Sequence, residues 1–322
     1  MVERVDSVLR SELDIADGLA DSRVFVLDPC CGTGSYVVEV LRRIEKTLTD
    51  KGKSALIANA VKKAAMERVF GFEIMPAPYV ISHLQVGIAL QQSGAPLASD
   101  GTERAGIFLT NSLTGWEPPT GPKQHIIAFP QLEDERDAAE ELKRAKKILV
   151  ILGNPPYNGF AGVAVDEERS LTTAYRETKR VAKPQGQGLN DFYVRFYRMA
   201  ERRIAEMTAE GIVCFISNYS WLDGLSFTGM RERYLEAFDS IRVDCLNGDK
   251  YKTGKLTPDG KPDPSIFSTE RNREGIQVGT AIGLLARRKR HAAASTVLFR
   301  NFWGKEKLAD LIEAVTHHSD EA

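Results

Sequence analysis

The tetrapeptide Asn154-Pro155-Pro156-Tyr157 combines residue types suited to holding a flat ring that carries an amine. Two successive prolines fix the backbone and remove two N–H donors, and the residue before a proline is restricted to extended conformations. The Asn154 side-chain oxygen and the Pro155 carbonyl would then accept hydrogen bonds from an exocyclic amine, and the Tyr157 ring could stack on the base. The apolar run at 148–152 predicts that the tetrapeptide ends a strand; linkers and peptide ligands, where Pro-Pro-Tyr also occurs, are the alternative.

A second candidate site is the run from Asp28 to Gly34, which reads Asp-Pro-Cys-Cys-Gly-Thr-Gly. It lies between a predicted strand at 24–27 and a helix that begins near Tyr36, which is a place where α/β folds bind ligands. Gly32 and Gly34 permit positive φ angles and let a ligand approach the backbone closely. An ordinary glycine turn of an α/β protein is the alternative interpretation.

The neighbouring residues narrow the kind of ligand that this turn would bind. The third glycine of a dinucleotide-binding loop is replaced by Val37, and this turn lacks the Gly-Lys-Ser/Thr of a P-loop. A nucleoside without phosphates therefore agrees with the pattern better than a pyrophosphate does. Glu73, at the end of the second predicted strand, could accept hydrogen bonds from both ribose hydroxyls, although a solvated carboxylate is an alternative.

Predicted strands and helices alternate along the chain, and this predicts an α/β fold with a mostly parallel sheet and helices on both faces. The strands are predicted at 24–27, 69–73, 107–110, 148–152, 211–217, 241–246, 279–286 and 296–302, and helices at 2–19, from about 36, at 79–90, 191–207 and 229–238, and near the C-terminus. The last three strands have little helix between them, so we expect antiparallel additions at one edge. The loops 158–188 and 247–275 are long enough to be functional or disordered.

The composition is that of an ordinary globular protein, with a formal net charge of -1, which argues against a uniformly basic nucleic-acid binder. It leaves room for a local basic face, for which two sets of residues are candidates: Arg169, Arg176, Lys179, Arg180 and Lys183, and then Lys250, Lys252, Lys255 and Lys261. A solvated surface is an equal alternative for both sets. The four cysteines lack zinc-site spacing, and no segment has the pattern of a signal peptide or membrane span. We expect reduced thiols, no metal and a cytoplasmic protein without a membrane.

The order of the two motifs, Asp28-Pro29-Cys30-Cys31-Gly32-Thr33-Gly34 before Asn154-Pro155-Pro156-Tyr157, resembles that of N6-adenine-specific DNA methyltransferases. The segments 186–193, 279–282 and 299–307 extend the resemblance over nearly the whole chain, in particular to the methyltransferase domain of Type ISP restriction-modification enzymes. The resemblance implies a Rossmann-like S-adenosylmethionine-dependent methyltransferase fold, with a mostly parallel seven-stranded sheet and an antiparallel hairpin at one edge.

The resemblance also implies roles for individual residues. Asp28, Gly32 and Gly34 would surround the methionine part of S-adenosylmethionine, with Pro29 and Cys30 in the same cofactor-binding turn. Glu73 would hold the ribose, and Asn111 with Ser112 would approach the adenine edge of the cofactor. The residues Asn154, Pro155, Pro156 and Tyr157 would bind the target adenine. Phe267 is either a second aromatic residue of that pocket or an ordinary core or loop residue.

The expected reaction is direct methyl transfer to N6 of a flipped adenine in double-stranded DNA, within a restriction-modification system. An RNA base or a protein glutamine as acceptor, or a domain without turnover, remains an alternative. We expect residues 1–322 to form one catalytic domain with an N-terminal helix in 1–20, a long basic loop at 247–275 and a C-terminal strand and helix in 291–322. Its start would be truncated, and the domain would be excised from a larger chain with helicase, nuclease and target-recognition domains.

Overall fold

In a computed structural model that describes residues 1–52, 56–118, 130–157, 166–180, 183–184 and 186–316, eight β-strands form a single sheet. The order across the sheet is β3-β2-β1-β4-β5-β7-β6-β8, and β7 runs antiparallel to β5 and β6 while the other neighbouring strands are parallel. The strands are β1 Phe25–Asp28, β2 Val69–Glu73, β3 Ile107–Leu109, β4 Ile148–Gly153, β5 Gly211–Asn218, β6 Ser240–Asn247, β7 Thr280–Arg287 and β8 Val297–Asn301.

Helices cover both faces of the sheet, because successive strand residues point to opposite sides. Val26 belongs to a core shared with α1 to α4, whereas its neighbour Leu27 belongs to a core shared with α5, α7 and α8. The helices are α1 Val2–Glu12, α2 Ser35–Asp50, α3 Ile57–Glu67, α4 Pro76–Gln92, α5 Pro130–Ala145, α6 Asp166–Leu171, α7 Phe192–Glu201, α8 Thr228–Ala237 and α9 Lys307–Thr316.

The direction in which strands are added reverses between β1 and β4. From β1 the chain adds β2 and β3 on one side, and β4 pairs with the other side of β1, with Val26 opposite Val150 and Leu27 opposite Ile151. At such a reversal the connections that leave neighbouring strands diverge, and a crevice opens at the carboxyl ends of the strands. The turn after β1 and the tetrapeptide after β4 therefore lie on either side of one crevice.

The predicted fold class is confirmed, with one more strand than the seven expected. The strand predicted at 296–302 forms β8, which pairs in parallel with β6 and extends the edge beyond the antiparallel pair of β6 and β7. The helix predicted at 2–19 was too long, since α1 ends at Glu12 and a short 3₁₀ turn covers Gly18–Ala20. Asp14 and Gly18 both have positive φ, and the Leu19 N–H turns back to donate to the buried Asp6 carboxylate at 2.7 Å.

The long loop at 247–275 is tied to the sheet by buried aspartates. Asp263 is fully buried; its carboxylate accepts the N–H groups of Gly248 and Gly304 at 2.7 and 2.8 Å and pairs with the Lys307 ammonium at 2.6 Å. Asp249, also buried, accepts the Gly279 N–H at 2.8 Å. These contacts anchor the loop to the ends of β6 and β8 and to the start of α9.

Candidate active site

The turn after β1 has the open backbone that a ligand needs. Gly32 and Gly34 have φ angles of +54° and +87°, in the left-handed region that favours glycine. A Cβ atom on Gly34 would lie 3.1 Å from Cβ of Ser82 on α4, so helix packing also restricts this position. A Cβ atom on Gly32 would meet nothing within 4 Å among the described residues. The space in front of Gly32 is therefore free for a ligand.

Asp28 ends β1 with a buried carboxyl group that is only half satisfied. One oxygen accepts the Cys30 N–H at 3.1 Å, and the other is buried with no hydrogen-bond partner in the described part of the chain. Burial raises the pKa of Asp28 to about 7. A carboxylate in this position is costly without a partner, so a cationic group placed beside it would be bound favourably.

The Glu73 carboxylate joins the turn after β1 to the turn after β2. Its Oε2 accepts the Gly32 N–H at 3.0 Å, and its Oε1 accepts the N–H groups of Ile74 and Met75 at 2.8 and 2.7 Å. Oε1 thus holds two donors and Oε2 holds one. A carboxylate oxygen can accept more than one hydrogen bond, so Oε2 retains capacity for a ribose hydroxyl.

The turn after β3 carries Asn111 and Ser112. The Ser112 hydroxyl donates to the Pro29 carbonyl and so links this turn to the one after β1. Asn111 donates from Nδ2 to Oε1 of Glu168 on α6 at 2.7 Å, and its Oδ1 accepts the Leu113 N–H at 2.9 Å. Both ends of the Asn111 amide are therefore engaged within the protein.

A buried lysine that the sequence analysis did not identify supports this turn. Lys143 on α5 donates to Oγ1 of Thr110 at 3.0 Å and to the carbonyls of Asn111 and Thr114 at 2.8 and 2.9 Å. Its ammonium also lies 5.2 Å from the centre of the Phe72 ring. Burial lowers the pKa of Lys143 to about 8. The side chain fixes the backbone on which Asn111 and Ser112 stand.

Gly153 ends β4 and brings the tetrapeptide against the end of β1. A Cβ atom there would lie 2.6 Å from Oδ1 of Asp28 and 3.3 Å from Sγ of Cys30, so the two strand ends can meet only without a side chain. The Tyr157 hydroxyl lies 2.6 Å from Oδ1 of Asn154 and 3.2 Å from the Ile216 carbonyl, both of which can accept its hydrogen bond.

A cleft of about 490 Å³ opens between these strand ends, within the range of small-ligand sites. Several residues predicted for the site line it, namely Pro29, Cys30, Glu73, Asn111, Ser112, Asn154 and Pro156. Others lining it were not predicted as site residues, namely Phe72, Ile74, Met75, Thr110, Leu113, Glu168, Phe192 and Phe196. Phe192 falls in the segment 186–193, which extends the family resemblance but was given no site role.

Two predicted target-base residues are not among the residues that line this cleft. The Tyr157 ring is half-buried and packs edge-on to Tyr193, with 6.5 Å between ring centres. Phe267 packs half-buried against the core shared by α1 to α4. The structure therefore brings Tyr157 to Asn154 through its hydroxyl, and it places Phe267 beside the core on the face covered by α1 to α4.

The two cysteines in the turn after β1 have thiols of low reactivity. The Cys30 thiol lies beside the end of β4, and burial raises its pKa well above the ordinary value. All four cysteines are free, and the Cys31 pKa is raised in the same way. Thiols of this kind stay protonated at neutral pH and are poor nucleophiles.

Several of the basic side chains predicted to face phosphates contact acceptors in the protein. Lys250, Lys252 and Lys261 pair with Glu274, Asp223 and Asp259 at 3.5, 3.0 and 2.8 Å, and Lys255 donates to the Glu274 carbonyl. In the other set, Lys179 pairs with Glu236 at 3.0 Å. Residues 158–165 and the Arg169 side chain lie outside the described residues. Exposed pairs of this kind are worth little, so a stronger anion could compete for these lysines.

The described residues contain no group of three or more His, Cys, Asp or Glu side chains arranged to hold a metal ion. Nor does any helix in the described ranges have the length and apolar character needed to cross a membrane. The site is therefore one of backbone turns, carboxylates and amides around an apolar cleft.

Comparisons with known proteins agree with this architecture. The chain is 23% identical over 254 residues to the adenine-specific methyltransferase PglX of Streptomyces coelicolor, a match that covers 72% of this chain and 20% of that protein. Among solved structures, the Type ISP restriction-modification enzyme LlaBIII bound to DNA matches with a TM-score of 0.76 and 24% identity, over 98% of this chain and 20% of its own. A nuclease-deletion mutant of the Type ISP enzyme LlaGI, in complex with a DNA substrate mimic, matches with a TM-score of 0.75 and 20% identity. This match covers 98% of this chain and 25% of the LlaGI chain.

The structural matches show a shared fold, and the chain spans a fifth to a quarter of the length of these relatives. The model of one family matches residues 67–247, more than half of the chain, from β2 through the tetrapeptide to the end of β6. On that match, the chain belongs to the Eco57I restriction-modification methylase family.

Proposed function

We propose that this chain transfers a methyl group from S-adenosylmethionine to N6 of adenine in DNA. The observation that carries the proposal is that the turn after β1 and Asn154 line the same cleft. A cofactor held by the turn and an amine held by Asn154 would be neighbours there. The adenine specificity named for PglX and the DNA bound by LlaBIII support the choice of acceptor.

The residues that line the cleft and those of the adjoining turn after β1 suit this cofactor. The space in front of Gly32 is open, and the unpartnered oxygen of Asp28 would interact favourably with a positively charged ligand. The exposed apolar side chains of Ile74 and Met75 offer contact area for a purine. We assign the methionine part to the turn formed by Asp28, Pro29, Cys30, Gly32 and Gly34, the ribose to Glu73, and the adenine edge to the turn with Asn111 and Ser112. The cofactor would supply a methyl group made electrophilic by its sulfonium.

The protein's own contribution to the chemistry is orientation of the amine. The Asn154 side-chain oxygen and the Pro155 carbonyl would accept its two hydrogens and keep its lone pair directed at the methyl carbon. The base must leave the duplex to reach them, since N6 lies inside the stack. Tyr157 would then stack on it. Because burial keeps the Cys30 and Cys31 thiols protonated, we propose direct transfer: the methyl–sulfur bond would break as the methyl–nitrogen bond forms, S-adenosylhomocysteine would leave, and the extra amine proton would pass to water.

The proposed partners follow from the resemblance to Type ISP restriction-modification enzymes. We propose double-stranded DNA as substrate and, in the same polypeptide, helicase, nuclease and target-recognition domains. Support comes from the length of the Type ISP relatives, of which this chain covers only a part. The lysines of the loop 247–275 could exchange their protein carboxylates for phosphates.

Labelled methyl transfer from S-adenosylmethionine to duplex DNA, RNA and protein, offered separately, tests the proposal. We expect label in DNA alone, and N6-methyladenine after hydrolysis of that DNA. Label in RNA or in protein glutamine would move the activity to one of the two other acceptors. Cofactor binding without transfer to any of the three, both for this chain and for the proposed larger polypeptide that contains it, would indicate a domain without turnover.

A further inference from the structure

We infer that Glu168 on α6, rather than Asn111, accepts the hydrogen bond from the exocyclic amine of the cofactor's purine. This inference rests on the proposed cofactor. It assigns a specificity-determining role to a residue that lies outside both sequence motifs. The assignment depends on how the Asn111 amide is used, on the surroundings of the Glu168 carboxylate, and on the chemistry of the cleft that both residues line.

The Asn111 side chain is committed to the protein. Its Nδ2 donates to Glu168 at 2.7 Å while its Oδ1 accepts the Leu113 N–H at 2.9 Å. Only this amide orientation satisfies both contacts, because a carboxylate accepts and a backbone N–H donates. The acceptor oxygen of Asn111 is thus turned toward its own backbone. Lys143 holds the carbonyl of the same residue, which fixes the turn in this arrangement.

Glu168 presents a carboxylate to the same cleft. The residue is 4% exposed and lines the cleft beside Asn111. Its Oε1 holds the Asn111 amide, and its Oε2 lies 3.4 Å from Nη1 of Arg195, which is itself 2% exposed. A carboxylate has about four acceptor positions, so these two contacts leave room for another donor. Arg195 compensates the buried negative charge and is held by the Asn190 carbonyl at 3.0 Å.

The chemistry of this acceptor selects the ligand. Glu73, which would hold the ribose, and Glu168 line one cleft together with the apolar Ile74 and Met75. A 6-aminopurine directs an N–H of its exocyclic amine at this carboxylate, whereas a 6-oxopurine puts an oxygen in that position and has its only nearby N–H at N1. An oxygen placed against the buried negative charge of Glu168 is repelled, because a carboxylate has no hydrogen to donate to it. Glu168 would therefore make the cleft selective for adenine nucleosides over hypoxanthine nucleosides.

Calorimetry with S-adenosylhomocysteine and its 6-oxo analogue S-inosylhomocysteine tests this role. For the unmodified chain we expect the 6-oxo analogue to bind roughly tenfold to a hundredfold more weakly, the range for a hydrogen bond to a charged group. In Glu168→Ala the two ligands should bind within about threefold of each other. Asn111→Ala is the matched control, and it should keep the full preference even if both affinities fall.

A purely structural role for Glu168 gives a different pattern, because both ligands would then lose affinity equally and the preference would survive. That result, or loss of the preference only in Asn111→Ala, would overturn the inference. If Glu168→Ala does not fold, Glu168→Gln takes its place, because it keeps the size of the side chain and a neutral acceptor. For Glu168→Gln we expect a preference for S-adenosylhomocysteine that lies between those of the unmodified chain and of a variant without the acceptor. If the unmodified chain binds both ligands equally, the role of Glu168 is wrong while the proposed cofactor stands; binding of neither ligand would refute the cofactor and the inference together.

Discussion

The Tyr157 hydroxyl lies 2.6 Å from Oδ1 of Asn154, so the aromatic residue of the tetrapeptide can donate to the oxygen that the proposal reserves for the target amine. An amide oxygen can accept two hydrogen bonds. The base amine can therefore share Oδ1 with the hydroxyl, or replace it when the Tyr157 ring moves to stack on the base.

This relationship separates the two functions of Tyr157. We expect Tyr157→Phe to keep turnover within about tenfold of the parent, because it removes one neutral hydrogen bond and retains the ring. Tyr157→Ala should weaken capture of the flipped base by about 1–3 kcal/mol, the value of one stacked aromatic. Steady-state kinetics on an adenine-containing duplex measures both variants, and equal losses in the two would exclude a stacking role.

Blocking the turn after β1 should abolish cofactor binding. In Gly32→Asp a side chain enters the open space in front of the turn and adds a negative charge beside Glu73, whose carboxylate accepts the Gly32 N–H. Gly52→Asp is the matched control, since Gly52 follows α2, also has a positive φ, of +73°, and has no described atom within 4 Å of an added Cβ. Calorimetry should show binding in the control alone. Asp28→Ala should also lose binding, and unchanged affinity in both site variants would rule out this turn.

Cofactor affinity should depend on pH through Asp28. Burial holds the pKa of this carboxyl at about 7, so below pH 7 it is mostly protonated and offers no charge to a cationic ligand. We expect affinity for S-adenosylmethionine to rise with pH by up to about tenfold per unit below 7 and to level off above it. Asp28→Asn should remove this slope, and a slope that persists in the variant would assign the titration to another group.

The same group affects stability without ligand in the opposite direction. The folded pKa of Asp28 lies above its ordinary value of 3.8, so the folded state binds the proton more tightly than the unfolded state does. Its contribution to stability is complete below about pH 3.8 and is lost as pH rises through 7. Urea unfolding of the parent and of Asp28→Asn should therefore diverge between pH 5 and pH 8 in the absence of cofactor.

Lys143 should be required for the turn after β3. Lys143→Met leaves the three acceptors on Thr110, Asn111 and Thr114 without their donor, and we expect a loss of about 1–3 kcal/mol in the free energy of unfolding. Lys147→Met removes an exposed lysine paired with Glu210 at 3.3 Å and should change stability by less than about 0.5 kcal/mol. Urea titration of both variants compares them, and equal effects would refute a special role for Lys143.

The elements that could be predicted from the sequence are those set by local pattern. The strand at Val69–Glu73 has the predicted bounds because an apolar run ends there in a charged residue. The turn after β1 and the tetrapeptide after β4 were also identifiable, since glycines and prolines mark chain turns directly. Their placement on either side of one crevice follows from the carboxyl ends of parallel strands.

The residues that were missed owe their roles to partners distant in the sequence. Glu168 and Lys143 lie on α6 and α5, two helices that were not predicted. Both contact Asn111 in the turn after β3, although they are 57 and 32 residues away from it in the sequence. Nothing in the local sequence distinguishes these charged side chains from solvated ones. For the lysines of the loop 247–275 the sequence predicted phosphate contacts, but it could not reveal the carboxylates with which three of them pair.

The central claim is that Asn154 holds the amine during methyl transfer to N6 of adenine, and one measurement tests it most directly. N6-methyladenine formed in an adenine-containing duplex would be quantified for the parent enzyme, for Asn154→Ala and for Asn301→Ala, which alters an exposed asparagine at the end of β8. We predict that Asn154→Ala loses turnover by roughly 10²-fold or more, the range for one positioned polar group, with cofactor affinity nearly unchanged and Asn301→Ala fully active. Near-normal turnover in Asn154→Ala, or loss of activity only in Cys30→Ser and Cys31→Ser, would contradict the account.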